Sequence, residues 1–174
     1  MVPGRDFFGD EVMKDYNGKL VDPVSMPAEA PLFEANGLAL YTDTKNVAAL
    51  HQWLNGDASI IGYLRAHLNQ IRQDDYFAML AYVARNAPYE DALQTMRHAV
   101  RDRTHAATCL GFGPRFLHST GQAYKGGPNL GVFLQITCDD AKDIPVPGRK
   151  YTFGVVKAAE ARGDLAVLLQ RGRR

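Results

Sequence analysis

The segment Gly113–Asn129 (GPRFLHSTGQAYKGGPN) concentrates more reactive side chains than any other part of the chain. Arg115 can hold a phosphate or a carboxylate in a two-pronged contact. His118 has an ordinary pKa near ~6.5, which suits proton transfer at neutral pH. Lys125 is a flexible cation that can meet an anion or a developing oxyanion. The segment therefore predicts an anion-binding loop with acid–base chemistry.

Two hydroxyls and several glycines add to this predicted site. Ser119 and Thr120 offer hydroxyls to an anion, and glycines such as Gly126 let the backbone approach a ligand closely. An alternative stays open, in which the arginine and the lysine are solvated loop charges and the histidine caps a strand end.

Three apolar runs predict the strands that would position this segment. Tyr76–Val83, Ala106–Leu110 and Val132–Thr137 are each continuous and apolar, as expected of strands that are buried on both faces. The reactive segment begins directly after the second of them. Because ligands bind beyond the carboxyl ends of strands in open α/β sheets, the segment stands where a site is expected.

Helical patterns separate the strands, which predicts an α/β fold with a mostly parallel sheet flanked by helices. A shorter strand is predicted at Leu38–Tyr41. The predicted helices are a first from Thr44 or Asn46 to Trp53, a second from Asp57 or Ser59 to Gln70, then Tyr89–Arg103, Thr152–Ala161 and Asp164–Gln170. Gly163 is expected to divide the last two.

Charge and composition exclude several classes of protein. The chain has 174 residues and a net charge of +1, so no global field recruits nucleic acid. Its basic C-terminal RGRR is predicted to be a solvated chain end. Cys109 and Cys138 are expected to be buried free thiols, with no metal site. No apolar window is long enough for a membrane span, so a cytoplasmic protein without a membrane partner is expected.

Residues 1–35 lack a sustained pattern and contain four prolines. They are predicted to form an extended N-terminal arm, and residues 36–174 the domain. Apolar residues of the arm, such as Phe7, Phe8 and Phe33, would be exposed on an isolated extended segment. A homo-oligomer is therefore predicted, or an arm that folds back onto the sheet.

Two stretches of the sequence resemble a known family. ATCLGFGPRFLHSTGQAYKGGPNLGVFLQIT and the later PGRKYTFGVVKAAEARGD are similar to the C-terminal part of bifunctional transaldolase/glucose-6-phosphate isomerase. The resemblance implies a sugar isomerase (SIS)-like three-layer sandwich. It also implies interconversion of glucose 6-phosphate and fructose 6-phosphate, with no cofactor.

The resemblance also implies roles for individual residues. Lys125 would contact the sugar and assist ring opening, with His118 as the candidate histidine for the same step, and Gln122 would join Arg115 at the sugar phosphate. The family's glutamate base and its Ser/Thr phosphate cluster belong to sequence upstream of this chain. The isolated chain is therefore expected to be inactive without the remainder of the parent enzyme.

Two other functions remain open from the sequence. The chain could be a non-catalytic sugar-phosphate binding module, in which case it binds the ligand alone. It could instead be a structural domain whose loop packs against a partner domain.

Overall fold

The computed structural model describes residues 30–174, so most of the predicted N-terminal arm lies outside the described part. The described chain begins with a hairpin of β1 (Phe33–Ala35) and β2 (Leu38–Leu40), which pair antiparallel. Asn36 and Gly37 form its turn with φ of 53° and 75°, the positive values that a tight two-residue hairpin turn requires. The predicted boundary between residues 35 and 36 falls inside this turn.

Two short helices follow the hairpin and pack beneath it. They are α1 (Thr44–His51) and α2 (Ile60–Leu68), which begin after side-chain caps from Asp43 and Ser59. Leu50, Tyr63 and Ala66 form a small core to which the hairpin adds Leu32, Phe33 and Leu40.

The centre of the fold is a sheet of three parallel strands. They are β3 (Tyr76–Tyr82), β4 (Ala107–Phe112) and β5 (Gly131–Thr137), in the order β4-β3-β5. The central strand is buried along almost its whole length. All three predicted strands are confirmed, because continuous apolar runs are what a sheet covered on both faces requires.

Helices cover both faces of this sheet, which confirms the α/β fold class. Alternate residues of β3 point to opposite faces. One face packs against α2 and α3 (Ala87–Thr104), and its core residues include Phe77, Met79, Ala81 and Leu93. The other face packs against α4 (Thr120–Gly126) and α5 (Phe153–Gln170), and its core residues include Ala78, Leu80, Tyr82, Tyr124 and Leu168.

Two predictions about helices were wrong. The two terminal helices predicted on either side of Gly163 are one continuous helix, α5. A glycine inside a helix costs only about 1 kcal/mol, which the burial of α5 against the sheet outweighs. The reactive segment, predicted as a loop, contains the seven-residue helix α4 in its second half.

The prediction that the basic C-terminus is a solvated chain end was also wrong, because its last two arginines bind groups of the folded domain. Arg173 is buried and donates hydrogen bonds to the carbonyls of Lys125 and Gly127, at 2.9 and 2.7 Å. Arg174 binds both carboxylate oxygens of Asp75 at 2.8 Å. Both contacts lie at the edge of the sheet where the strands begin.

The cysteines differ from each other in exposure. Cys109 on β4 is half-buried, with its sulfur 3.1 Å from the Tyr124 hydroxyl. Cys138 is exposed just beyond the end of β5, so the expectation that it is buried was wrong. Across residues 30–174, none of the helices is long and apolar enough to cross a membrane.

Candidate functional site

The candidate site lies at the edge of the sheet where the three strands end. The loop from Gly113 to Ser119 leaves β4 at this edge, and the long connection from Cys138 to Thr152 leaves β5. Two cavities open here, and we call them the arginine cavity and the α5 cavity.

The loop after β4 is held firmly against the central strand. The Gly113 amide donates to the Ala81 carbonyl at 2.9 Å, and a side chain at Gly113 would lie 2.5 Å from the Tyr82 ring. Phe116 is buried and meets the same ring edge-on, with ring centroids 5.6 Å apart. Only glycine fits this close approach. These contacts fix the position of the loop, which carries Arg115 and Ser119, against β3.

The arginine cavity has a volume of about 290 Å³ and contains two of the predicted residues, Arg115 and Ser119. Arg85, from the connection after β3, lines it too and holds Glu90 through two hydrogen bonds of 3.2 Å. Its guanidinium also lies 5.4 Å from the centre of the Phe112 ring. The other lining residues are Gln94, Leu110 and Phe116.

Four more of the predicted site residues, among them the catalytic candidate His118, are exposed on or near α4. His118, Thr120, Gln122 and Gly126 all face solvent. Gln122 donates its amide to the Leu117 carbonyl at 3.1 Å, which closes the turn before the helix. The structure thus places Arg115 and Ser119, which are also exposed, in the lining of one cavity, and these four residues outside that lining.

Lys125 is engaged inside the protein. Its ammonium lies 2.5 Å from a carboxylate oxygen of Asp164 on α5, and the two side chains are only 15% and 1% exposed. Burial raises the pKa of the Asp164 carboxyl, and the Lys125 ammonium opposes only part of that rise. A direct contact between Lys125 and a sugar requires this ion pair to open.

The α5 cavity lies between the loop after β4 and the connection after β5, with a volume of about 350 Å³. Its walls come from Pro114, from the start of α5 and from the connection after β5. The residues that line it are Pro114, Asp140, Lys142, Asp143, Ile144, Phe153, Gly154, Val156, Lys157 and Glu160.

Two of the three carboxylates of this cavity have partners. Asp143 accepts hydrogen bonds from the amides of Ile144 and Gly154 at 2.8 Å and from the Thr152 hydroxyl, which fixes the start of α5. The Thr152 bond is the main reason why the pKa of Asp143 is lowered. Asp140 binds the Lys157 ammonium at 2.6 Å.

Glu160 is the third carboxylate, and sequence reasoning missed it. It is half-buried on α5, and burial raises its pKa to about 7. A shifted pKa of this kind in a cleft is a physical marker of a functional group. The sequence offers no signal for it, because Glu160 lies inside the predicted helix Thr152–Ala161, where no motif sets it apart.

Comparisons with known proteins bear on the fold alone. No family model matches the chain, and no curated protein matches it. A solved structure that is similar is that of a hypothetical protein from Thermus thermophilus, with a TM-score of 0.53 and 16% sequence identity. The match covers 74% of this chain and 37% of that protein, so the chain matches little more than a third of its length.

Proposed function

We propose that the chain is the SIS-like C-terminal domain of a glucose-6-phosphate isomerase of the bifunctional transaldolase/glucose-6-phosphate isomerase type. The complete enzyme would interconvert glucose 6-phosphate and fructose 6-phosphate in the cytoplasm. The observation that carries the proposal is the arginine cavity. Arg115 and Ser119, which the sequence predicts to bind an anion, both line this cavity. The cavity lies at the carboxyl ends of the strands, where α/β sheets bind ligands.

The chemistry of the arginine cavity suits the phosphate end of such a substrate. Arg85 and Arg115 supply two guanidinium groups, and Ser119 supplies a hydroxyl. Arginine binds phosphate through paired N–H donors, and such charge-assisted bonds are about twice as strong as neutral ones. Glu90 keeps Arg85 oriented until a phosphate competes for it.

The exposed groups beside the cavity fit the sugar end of the same ligand. In this proposal His118 moves a proton during ring opening, while Thr120 and Gln122 hydrogen-bond the sugar hydroxyls. Lys125 reaches the sugar when its ion pair with Asp164 opens. The remainder of the parent enzyme supplies the Ser/Thr cluster that the family resemblance places upstream, and this cluster would share the single phosphate with the arginine cavity.

Binding of 6-phosphogluconate, measured by titration calorimetry, tests the proposal. Arg115→Ala should weaken binding by about 10- to 100-fold, the loss expected for a charged hydrogen bond worth about 1.5–3 kcal/mol. Arg65→Ala is the matched control, because Arg65 lies on α2 with 72% of its side chain exposed. Equal affinities for the two variants, or no heat at millimolar ligand, would overturn the proposal.

Turnover of fructose 6-phosphate distinguishes a partial site from a complete one. The isolated chain is expected to show little turnover, and the parent enzyme should lose kcat when Lys125 is replaced. Ligand binding without turnover in the parent enzyme would identify the chain as a sugar-phosphate binding module. An unchanged kcat for Lys125→Ala in the parent enzyme would instead support the structural-domain alternative.

A further inference from the structure

We propose that Glu90 competes with the ligand of the arginine cavity, and that it sets how tightly the phosphate binds and how fast it leaves. The inference rests on the proposed function and deepens it, because it assigns control of the affinity to a residue of the same site. Glu90 and Arg85 both line the cavity and form an ion pair with each other.

The start of α3 fixes Glu90 at the cavity. The Asn86 side chain caps the helix by accepting a hydrogen bond from the Tyr89 amide at 3.0 Å, and the Glu90 amide donates to the Asn86 carbonyl at 2.9 Å. Glu90 therefore stands in the first turn, where the partial positive charge of a helix N-terminus stabilises a carboxylate. It brings a fixed negative charge to a cavity whose lining also contains two arginines.

The ion pair between Arg85 and Glu90 is loose enough for a ligand to open it. Arg85 donates one N–H to each Glu90 oxygen, and both bonds measure 3.2 Å. The two-pronged pair between Arg174 and Asp75 has bonds of 2.8 Å, and its side chains are only 15% and 3% exposed, against 51% and 35% for Arg85 and Glu90. Because exposed pairs contribute little, a phosphate can replace Glu90 at Arg85.

A second contact keeps Arg85 at the cavity when this pair opens. Its guanidinium lies over the Phe112 ring, 5.4 Å from the centre, and Phe112 lines the same cavity. The attraction between a cation and the face of an aromatic ring does not depend on Glu90. Arg85 can therefore exchange one anion for another without leaving the cavity.

Glu90 opposes a bound phosphate in two ways. The phosphate must displace Glu90 from Arg85, and it then lies close to the displaced carboxylate, so that the two negative charges repel each other. Since affinity differences between related complexes come mostly from the dissociation rate, Glu90 speeds the release of the ligand. Glucose 6-phosphate and fructose 6-phosphate carry the same phosphate, so tighter binding there would hold the product as firmly as the substrate.

Titration of the full chain with 6-phosphogluconate, followed by phosphorus NMR, measures both the affinity and the exchange rate. Glu90→Gln keeps the size of the side chain and removes its charge. It should tighten binding by about 3- to 10-fold, the combined size of two exposed electrostatic interactions, and most of this gain should appear as slower dissociation. Equal or weaker binding by this variant overturns the role of Glu90 and leaves the proposed function standing.

A ligand of lower charge sharpens the test. Glucose 6-sulfate resembles glucose 6-phosphate in shape but carries about one negative charge, whereas a phosphate ester carries about two at neutral pH. Because repulsion grows with the charge of the ligand, Glu90→Gln should improve binding of the phosphate more than that of the sulfate. A larger gain for the sulfate overturns the role of Glu90.

Asp102→Asn is the matched control, because Asp102 forms an exposed ion pair with Arg101 in the last turn of the same helix. It removes one negative charge as well, but it lies about 18 Å further along α3, beyond the screening length of about 8–10 Å. It should therefore bind 6-phosphogluconate within about 2-fold of the parent chain. An equal gain for the two variants overturns the role of Glu90, and absence of binding by the parent chain overturns the proposed function itself.

Discussion

The two edges of the parallel sheet each hold a carboxylate, and the two carboxylates differ in whether a cation pairs with them. At the edge where the strands begin, Asp75 is buried and bound through both oxygens to Arg174. At the edge where they end, Glu160 has no cation committed to it within the described residues. The carboxylate buried at the first edge is paired. At the second edge Asp140 and Asp143 have partners, and Glu160 is the carboxylate of the α5 cavity that has none among the described residues.

The pKa values of the two carboxyls show this difference in opposite directions. Burial acts to raise the pKa of Asp75, but its bonds to Arg174 and to the Arg72 amide outweigh it, so the pKa is lowered. Burial raises the pKa of Glu160 with nothing to oppose it. Ionisation of Asp75 therefore stabilises the fold, whereas ionisation of Glu160 destabilises it.

Asp164 lies between these extremes, and its pair with Lys125 should give the largest effect on stability. Lys125→Met leaves the Asp164 charge buried without a cation. Breaking such a pair from one side costs about 3–5 kcal/mol of unfolding free energy. Urea denaturation followed by circular dichroism measures this loss.

The double variant Lys125→Met, Asp164→Leu is the control for that measurement. It removes both charges, so it should recover most of the lost stability, because an apolar pair of similar volume often matches a buried ion pair. A loss below about 1 kcal/mol for the single variant would mean that the pair behaves like an exposed one.

The paired edge should show the next largest effect. Arg174→Ala removes the bonds to Asp75 and should cost about 2–3 kcal/mol at pH 7, since both partners are largely buried. The folded pKa of Asp75 is lowered, so its contribution is present above the unfolded value near ~3.9 and is lost as pH falls. The parent and the variant should therefore converge in stability on acidification.

Arg103→Ala provides the comparison for Arg174→Ala, because Arg103 is exposed near the end of α3. It should change the unfolding free energy by less than about 0.5 kcal/mol at either pH. A gap between Arg174→Ala and the parent that persists unchanged from pH 7 to below pH 3 would contradict the assigned role of Asp75.

Much of the fold could be predicted because its signals are local. The strands β3, β4 and β5 are continuous apolar runs, and Ser59, one of the two predicted starts, caps α2 within four residues of sequence. The cap of α1 is Asp43, one residue before the predicted start at Thr44. The continuity of α5 across Gly163 could not be predicted in this way. The burial that outweighs the glycine comes from contacts with the sheet, which are distant in sequence.

The candidate site was predictable only where its residues share one segment. Arg115 and Ser119 lie in the Gly-rich stretch, and the structure places both in one cavity. Arg85 and Glu160 were missed because they reach the site from other elements. The ion pair between Lys125 and Asp164 could not be predicted either, because the two residues come from different helices. From the sequence alone, a lysine in a glycine-rich stretch is expected to be a flexible, solvated cation.

The unpaired edge should show the smallest effect on stability, and one of opposite sign. Glu160→Gln removes a charge that the fold opposes, so the variant should be more stable than the parent at pH 8. The pKa of Glu160 is raised to about 7 in the folded chain from 4.5, so its stabilising contribution is complete below pH 4.5 and is lost as pH rises through 7. That shift sets an upper limit of about 3 kcal/mol, which solvent at a half-buried side chain reduces to about 1–2 kcal/mol.

Thermal unfolding at pH 4 and pH 8 separates this titration from a change in packing. The gain for Glu160→Gln should appear at pH 8 and vanish at pH 4, where the parent glutamate is protonated and resembles the amide. An equal gain at both pH values would show that the amide packs better and that the carboxylate is not destabilised. A loss at pH 8 would show that the carboxylate is paired after all, and the contrast between the two edges of the sheet would not hold.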